Sequence, residues 1–169
     1  MAGGRSKRMG RDKSQLRLSK RTLLGHIRFT AKKIGWPVRI IRRDFIPSCG
    51  PLGGLHAALK TTRAEAVLFL ACDMPFVSAA FLKKLLREFP KKNNALFTVT
   101  DSGAGFPFLL RRSVLAVVEK QLAKKNLSLQ LLAQNLEAKF IFPSRAEAAG
   151  LFNINTAEDW KKARHHRHL

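Results

Sequence analysis

Ala66-Val67-Leu68-Phe69-Leu70-Ala71-Cys72-Asp73-Met74-Pro75 is the stretch that decides the fold. Its apolar run, Ala66–Ala71, shows no polar alternation. That is the pattern of a strand buried on both faces of a parallel sheet, with helices covering each side. The run breaks at Cys72-Asp73-Met74-Pro75. Ligands of open α/β sheets bind beyond the carboxyl ends of strands, where Asp73 falls. A carboxylate held there suits a magnesium ion, which takes one or two protein carboxylates and fills its shell with phosphate oxygens and water. The competing reading is that Asp73 only caps a turn.

The flanking sequence alternates strand and helix patterns. On the N-terminal side, residues 1–19 read as a glycine-rich basic loop and residues 20–34 as a helix, with Leu23, Leu24, Ile27 and Ile34 near one face. Gly35 ends that helix. Val38–Ile41 reads as a short strand with Asp44 just beyond it, Phe45–Gly54 as a loop, and Leu55–Lys60 as a helix. On the C-terminal side, Ser78 predicts an N-cap for a helix through Phe89, stopped by Pro90. Strands follow at Ala95–Thr100, Phe108–Leu110 and Lys139–Phe142, separated by a turn at Asp101–Gly105 and by helices from Ser113 and from Ser128. Thr156-Ala-Glu-Asp159 has the spacing of a capping box opening a last helix. No repeat or linker divides the chain. The expectation is one α/β domain over residues 1–169, with a mostly parallel sheet and helices on both faces.

Charge is the other strong signal. The 169 residues carry a net charge of +21, and residues 1–43 hold +13 of it with Asp12 as their one acid. Such an excess points to polyanionic partners such as nucleotides, phosphorylated cofactors, nucleic acid or an anionic surface. No apolar run is long enough to span a bilayer and the opening is not a signal peptide, so a cytoplasmic protein without a membrane partner is expected. Cys49 and Cys72 have neither metal-ligand nor disulfide-framework spacing and read as small buried hydrophobes in a reducing compartment. His26, His56, Trp36 and Trp160 read as packing residues, and the histidines at 165, 166 and 168 as an exposed basic tail.

Two further constellations carry possible chemistry. In Met1-Ala-Gly-Gly-Arg-Ser-Lys-Arg-Met-Gly-Arg-Asp-Lys13, the Gly3-Gly4 pair allows backbone N–H groups to close on an anion, and Lys13 or the arginines can reach its phosphates. The spacing is neither that of a P-loop nor of a dinucleotide fingerprint, and a plain basic tail is the alternative. Asp44 followed by Gly50-Pro51-Leu52-Gly53-Gly54 places a second carboxylate after a strand, then a glycine-rich helix entry. An ordinary strand–helix connection explains the same residues.

Taken in order, these segments resemble the signatures of the molybdenum cofactor guanylyltransferases, within the MobA-like NTP transferases. Residues 2–13 are similar to A-G-G-x-S-x-R-M-G-x-D-K, residues 44–59 to that family's second segment, Leu70-Ala-Cys-Asp-Met-Pro-Phe76 to its metal-binding segment, and Phe152-Asn-Ile-Asn-Thr-Ala-Glu-Asp159 to its closing N-x-N-T-x-E-D. The resemblance implies a Rossmann-like nucleotidyltransferase fold. It implies transfer of GMP from GTP to molybdopterin-bound molybdenum with release of pyrophosphate. By carry-over, Met1, Ala2, Gly3, Gly4, Lys13, Asp44 and Asp73 bind the nucleotide, and Asp73 holds Mg²⁺. Lys13, Arg8 and Asp73 form the catalytic set. Gly50, Pro51, Leu52, Gly53, Asn153 and Asn155 are candidate substrate-contacting or structural positions. A molybdoenzyme chaperone or acceptor is a candidate partner, and nucleic acid would bind only non-specifically.

The sequence also departs from that pattern. Only Met1 precedes Ala-Gly-Gly, where the family has an apolar strand, and Gly35 runs directly into Trp36-Pro37 where the family has a second strand. The fold is therefore expected to lack the usual first and second strands. The start lies upstream, the copy is internally deleted, or Val38–Ile41 moves over to repair the sheet. Rival functions are a cytidylyl- or sugar-phosphate nucleotidyltransferase, an inactive nucleotide-binding remnant, and a basic nucleic-acid-binding protein.

Overall fold

The computed structural model describes residues 15–41 and 49–165. It opens with a two-stranded hairpin, β1 (Arg17–Leu18) and β2 (Arg21–Thr22), leading into α1 (Leu23–Lys32). The Thr22 hydroxyl accepts from the Gly25 N–H at 3.0 Å, so the helix begins at Leu23 rather than at residue 20. Gly35, at φ +79°, turns the chain out of α1.

Val38–Ile41 is not a strand. It runs outside the sheet, held to the end of the next helix by Arg39 Nη1, which donates to Thr61 Oγ1 at 2.7 Å. That next helix, α2 (Gly50–Thr61), takes in residues expected to form a loop. Pro51 explains the shift, because a proline in the first turn removes an N–H that has no intrahelical partner in any case.

The main sheet has four strands among the described residues: β3 (Ala66–Phe69), β4 (Ala95–Thr100), β5 (Gly103–Arg111) and β6 (Lys139–Ile141), in the order β3-β5-β4-β6. The β3–β5 and β4–β5 pairs are antiparallel and β4–β6 is parallel, so β3, β4 and β6 point one way and β5 opposes them. Among the described residues β3 has β5 as its one neighbour, and it is half-buried along most of its length, with Phe69 buried.

Alternation along the strands builds two cores. Phe69, Phe97, Phe108 and Leu110 face α2, α4 (Leu115–Ala123) and α5 (Leu129–Asn135). On this face Phe108 stacks on Phe97 at 4.5 Å and on Phe69 at 5.2 Å, tying three strands together. Leu96, Leu109 and Ile141 face α1 and α3 (Ala79–Glu88), whose Phe81, Leu82 and Leu85 are buried. Helices thus cover both faces, as the strand pattern implied.

Ser78 caps α3, its hydroxyl accepting from Phe81 N–H at 3.1 Å, and Ser128 caps α5 in the same way. Ser113 is not a cap. A 3₁₀ turn over Arg112–Val114 precedes α4, and the Ser113 hydroxyl donates to Asn94 Oδ1 at 3.1 Å. An unforeseen helix, α6 (Arg145–Gly150), has a full capping box from Ser144 and Glu147. The chain closes in α7 (Ala157–His165).

The packing roles divide. His26 Nε2 donates to the Leu18 carbonyl at 2.8 Å, and buried His56 Nε2 meets Glu119 Oε1 at 3.1 Å. Trp160 packs on the cluster of Leu18, Leu23 and Ile154. Trp36 is 40% exposed, and both cysteines are half-buried rather than buried.

Candidate active site

Asp73 follows the end of β3 in a tight turn, Cys72-Asp73-Met74-Pro75, anchored by buried Met74 and by Val77 N–H donating to the Met74 carbonyl at 3.3 Å. The residue is half-buried, with Oδ1 itself shielded from solvent. Its carbonyl accepts from Ile154 N–H at 2.9 Å. This bond joins the acidic turn to the closing Phe152-Asn153-Ile154-Asn155 segment, more than seventy residues later in the chain. Ile154 is fully buried among Leu18, Leu23 and Ala163. Asn153 and Asn155 are exposed on either side of it, as expected for neighbours of a core residue in extended chain.

The carboxylate of Asp159 locks the closing segment. Its Oδ2 accepts from the N–H groups of Asn155 and Thr156 at 2.9 and 2.8 Å, and its own N–H donates to Thr156 Oγ1 at 3.0 Å. This is the capping box read from Thr156-Ala-Glu-Asp159. Burial pushes the Asp159 carboxyl up, but these hydrogen bonds outweigh it and hold the group below its ordinary range. A close packing contact supports the acidic turn from the other side. A Cβ on Gly150, at the end of α6, would stand 3.0 Å from the Phe76 carbonyl, so glycine allows α6 to sit against this backbone. Lys84 of α3 holds α6 in place through both carboxylate oxygens of Glu147, at 2.9 Å each.

The other expected site residues divide in two. Gly50, Pro51, Leu52 and Gly53 form the first turn of α2, where Gly50 has φ +52° and Leu52 and Gly53 are buried. Met1, Ala2, Gly3, Gly4, Arg8, Lys13 and Asp44 lie outside the described residues, as do the histidines at 166 and 168. Two positioning features escaped the sequence reading, Gly150 and the α6 capping box. The Ser144-x-x-Glu147 spacing carries the signal for the second. Among the described residues no three His, Cys, Asp or Glu side chains gather as a metal cluster. A single hard carboxylate at a strand end fits an ion whose remaining ligands come from substrate phosphates and water, and fits a protein-only metal cage poorly.

Sheet, flanking helices and acidic strand end together define an α/β fold with a ligand site at the carboxyl end of its strands. A molybdopterin-guanine dinucleotide biosynthesis protein A from Archaeoglobus fulgidus superposes with a TM-score of 0.78 at 22% identity, covering 97% of this chain and 94% of that one. A 2-C-methyl-D-erythritol 4-phosphate cytidylyltransferase from Thermus thermophilus superposes at 0.68 and 14% identity, covering 91% and 92%. The chain belongs to the MobA-like NTP transferase family, whose domain model matches residues 1–139. Curated relatives include molybdenum cofactor guanylyltransferases from Xanthomonas euvesicatoria, 31% identical over 98% of this chain and 92% of that protein, and from Syntrophotalea carbinolica, 28% identical over 97% and 88%. These alignments run over 180 and 186 positions, more than the 169 residues present here, so each relative carries internal residues with no counterpart in this chain.

Proposed function

We propose that this nucleotidyltransferase transfers GMP from GTP to molybdopterin-bound molybdenum, forming the guanine dinucleotide cofactor and releasing pyrophosphate. The observation that carries the reading is the 2.9 Å bond from Ile154 N–H to the Asp73 carbonyl. It unites two separate signature segments at the carboxyl end of β3, where a nucleotide site belongs. The names of the curated relatives supply the substrate class.

In this reading Asp73 is the protein's ligand to Mg²⁺, which neutralises phosphate charge when bound. The acceptor phosphate is already anionic, so no strong general base is needed. The chain's task is in-line positioning and charge neutralisation. Lys13 and Arg8 supply the positive charge at the transferring phosphate, while Met1, Ala2, Gly3, Gly4 and Asp44 line the nucleotide; these roles rest on the resemblance. Asn153 and Asn155, exposed beside the Asp73 turn, contact substrate in this reading. Gly50–Gly53 serve a structural role in α2. We further propose a cytoplasmic location and hand-over of product to a molybdoenzyme or its chaperone. Among the described residues no helix is long and apolar enough to cross a membrane.

The test is a turnover assay with GTP and CTP competing for one molybdopterin acceptor. Incorporation of guanine alone supports the proposal. Cytosine incorporation reassigns the chain to the cytidylyl branch, and nucleotide binding without pyrophosphate release marks it as inactive.

A further inference from the structure

We propose that the outer face of the β1–β2 hairpin and α1 binds single-stranded nucleic acid, through phosphate contacts to its cations and a base stacked on Phe29. Hairpin and helix form one unit. His26 of α1 meets the Leu18 carbonyl at 2.8 Å, and Leu23 N–H donates to the Leu16 carbonyl at 2.9 Å. Leu18, Leu23, Ile27 and Ala31 are buried on its inner side. The periods of strand and helix then set the remaining side chains outward. Arg17, Lys20, Arg21, Arg28, Lys32 and Lys33 are all exposed, and Phe29 among them is 45% exposed. None of these residues belongs to the transferase site.

Among the described residues no acid balances this charge. Residues 15–41 contain no Asp or Glu. The ion pairs of Glu65, Glu88, Glu119, Glu147 and Glu158 all engage cations of other elements. A face of one sign concentrates anions beside it. Arg21 and Lys33 rest instead on an aromatic ring, with Arg21 Cζ 4.2 Å and Lys33 Nζ 4.5 Å from the Phe29 centroid. Arg28 and Lys32 follow one helical turn apart, a spacing of about 6 Å between Cβ atoms.

The ring identifies the occupant. An exposed cation–π contact is weaker than a charge-assisted hydrogen bond to phosphate. Phosphates therefore draw Arg21 and Lys33 off the ring and leave its face to a base. Cations that track the backbone around an aromatic side chain are the means by which single strands are held without sequence preference. An acidic protein segment would satisfy the cations and leave the ring unused, and a duplex keeps its bases stacked on one another.

The probe is a fluorescein-labelled oligothymidylate of twelve residues, titrated against the full chain at several salt concentrations with GTP in excess, and read by fluorescence anisotropy. Saturable, salt-dependent binding is expected. The double variant Arg28→Gln with Lys32→Gln should reduce the slope of log affinity against log salt by about 1.4 and weaken binding roughly 25-fold at about 0.1 M salt. Phe29→Ala should weaken binding at least about fivefold with the slope unchanged, and Phe29→Trp should preserve it. Lys120→Gln with Lys124→Gln removes two exposed cations of the same spacing from α4, away from any exposed ring, and should change neither affinity nor slope. No binding overturns the proposal, as does binding indifferent to the α1 variants or equally weakened by the α4 pair. Binding of oligoglutamate with the same dependence on Phe29 would assign the face to an acidic protein segment. Equal affinity for a duplex, unaffected by Phe29→Ala, would show that phosphates alone are read. Either result overturns the single-strand assignment.

Discussion

Ile154→Ala tests how the Asp73 turn is held. Ile154 is fully buried in a small cluster with Leu18, Leu23 and Ala163, separate from the two cores on the sheet. The substitution removes about three buried carbons, worth roughly 2.4 kcal/mol of transfer free energy, and leaves a cavity that brings the expected cost to about 3 kcal/mol. The cluster joins the closing segment and α7 to the hairpin and α1, so the loss should fall locally on residues 151–165 before it reaches the main sheet. Amide hydrogen exchange reads this directly. The Ile154 N–H and the α7 amides should exchange about 100-fold faster, with the amides of Leu96 and Leu109 much less affected. Leu82→Ala, in the core between α1 and α3, serves as the contrast and should lower protection throughout the sheet. Unchanged exchange at Ile154 would refute the view that this side chain fastens the closing segment to Asp73. A uniform loss across β4 and β5 would show that the cluster is not a separable unit.

Ser78→Ala removes the side-chain cap of α3 and should cost about 1 kcal/mol, read as a lower urea midpoint with unchanged slope; Ser113→Ala, at a position that does not cap, should cost less. The Glu147 carboxyl is held below its ordinary value of 4.5, first by the hydrogen bond from Lys84 and then by the Ser144 N–H. A lowered carboxyl stabilises the fold fully above its unfolded value and loses that contribution as pH falls through the folded one. Lys84→Met should therefore be destabilised by up to about 1 kcal/mol near neutrality, with the difference from wild type shrinking as pH falls below the ordinary carboxyl value of 4.5. Urea unfolding at several pH values checks this, and a difference independent of pH would sink the assignment.

The parts of the fold that were readable were those whose cause is local. Ser78 and Ser128 cap helices because their hydroxyls reach an N–H three residues on, and Thr156-Ala-Glu-Asp159 closes its box within four residues. The Ala66–Ala71 run was rightly read as a strand, but its surroundings were not. An apolar run looks the same beside a parallel and beside an antiparallel neighbour, and here its described neighbour is antiparallel. Val38–Ile41 has strand composition yet forms none, because a strand exists only with a partner and Arg39 ties this segment to Thr61 instead. Gly50–Gly54 read as a loop on glycine content, while buried Leu52 and a first-turn proline make it helix. Asp73 could be singled out from its place after an apolar strand. Its bond to Ile154 could not, since no local pattern links residues so far apart in the chain.

The central claim is that Asp73 organises nucleotidyl transfer, and Asp73→Asn tests it most directly. GMP transfer from GTP to molybdopterin-bound molybdenum, followed by pyrophosphate release, should fall by about 100-fold or more in the variant, while its thermal unfolding matches wild type. An Asp73→Asn protein that is folded and transfers GMP at the wild-type rate would contradict the account.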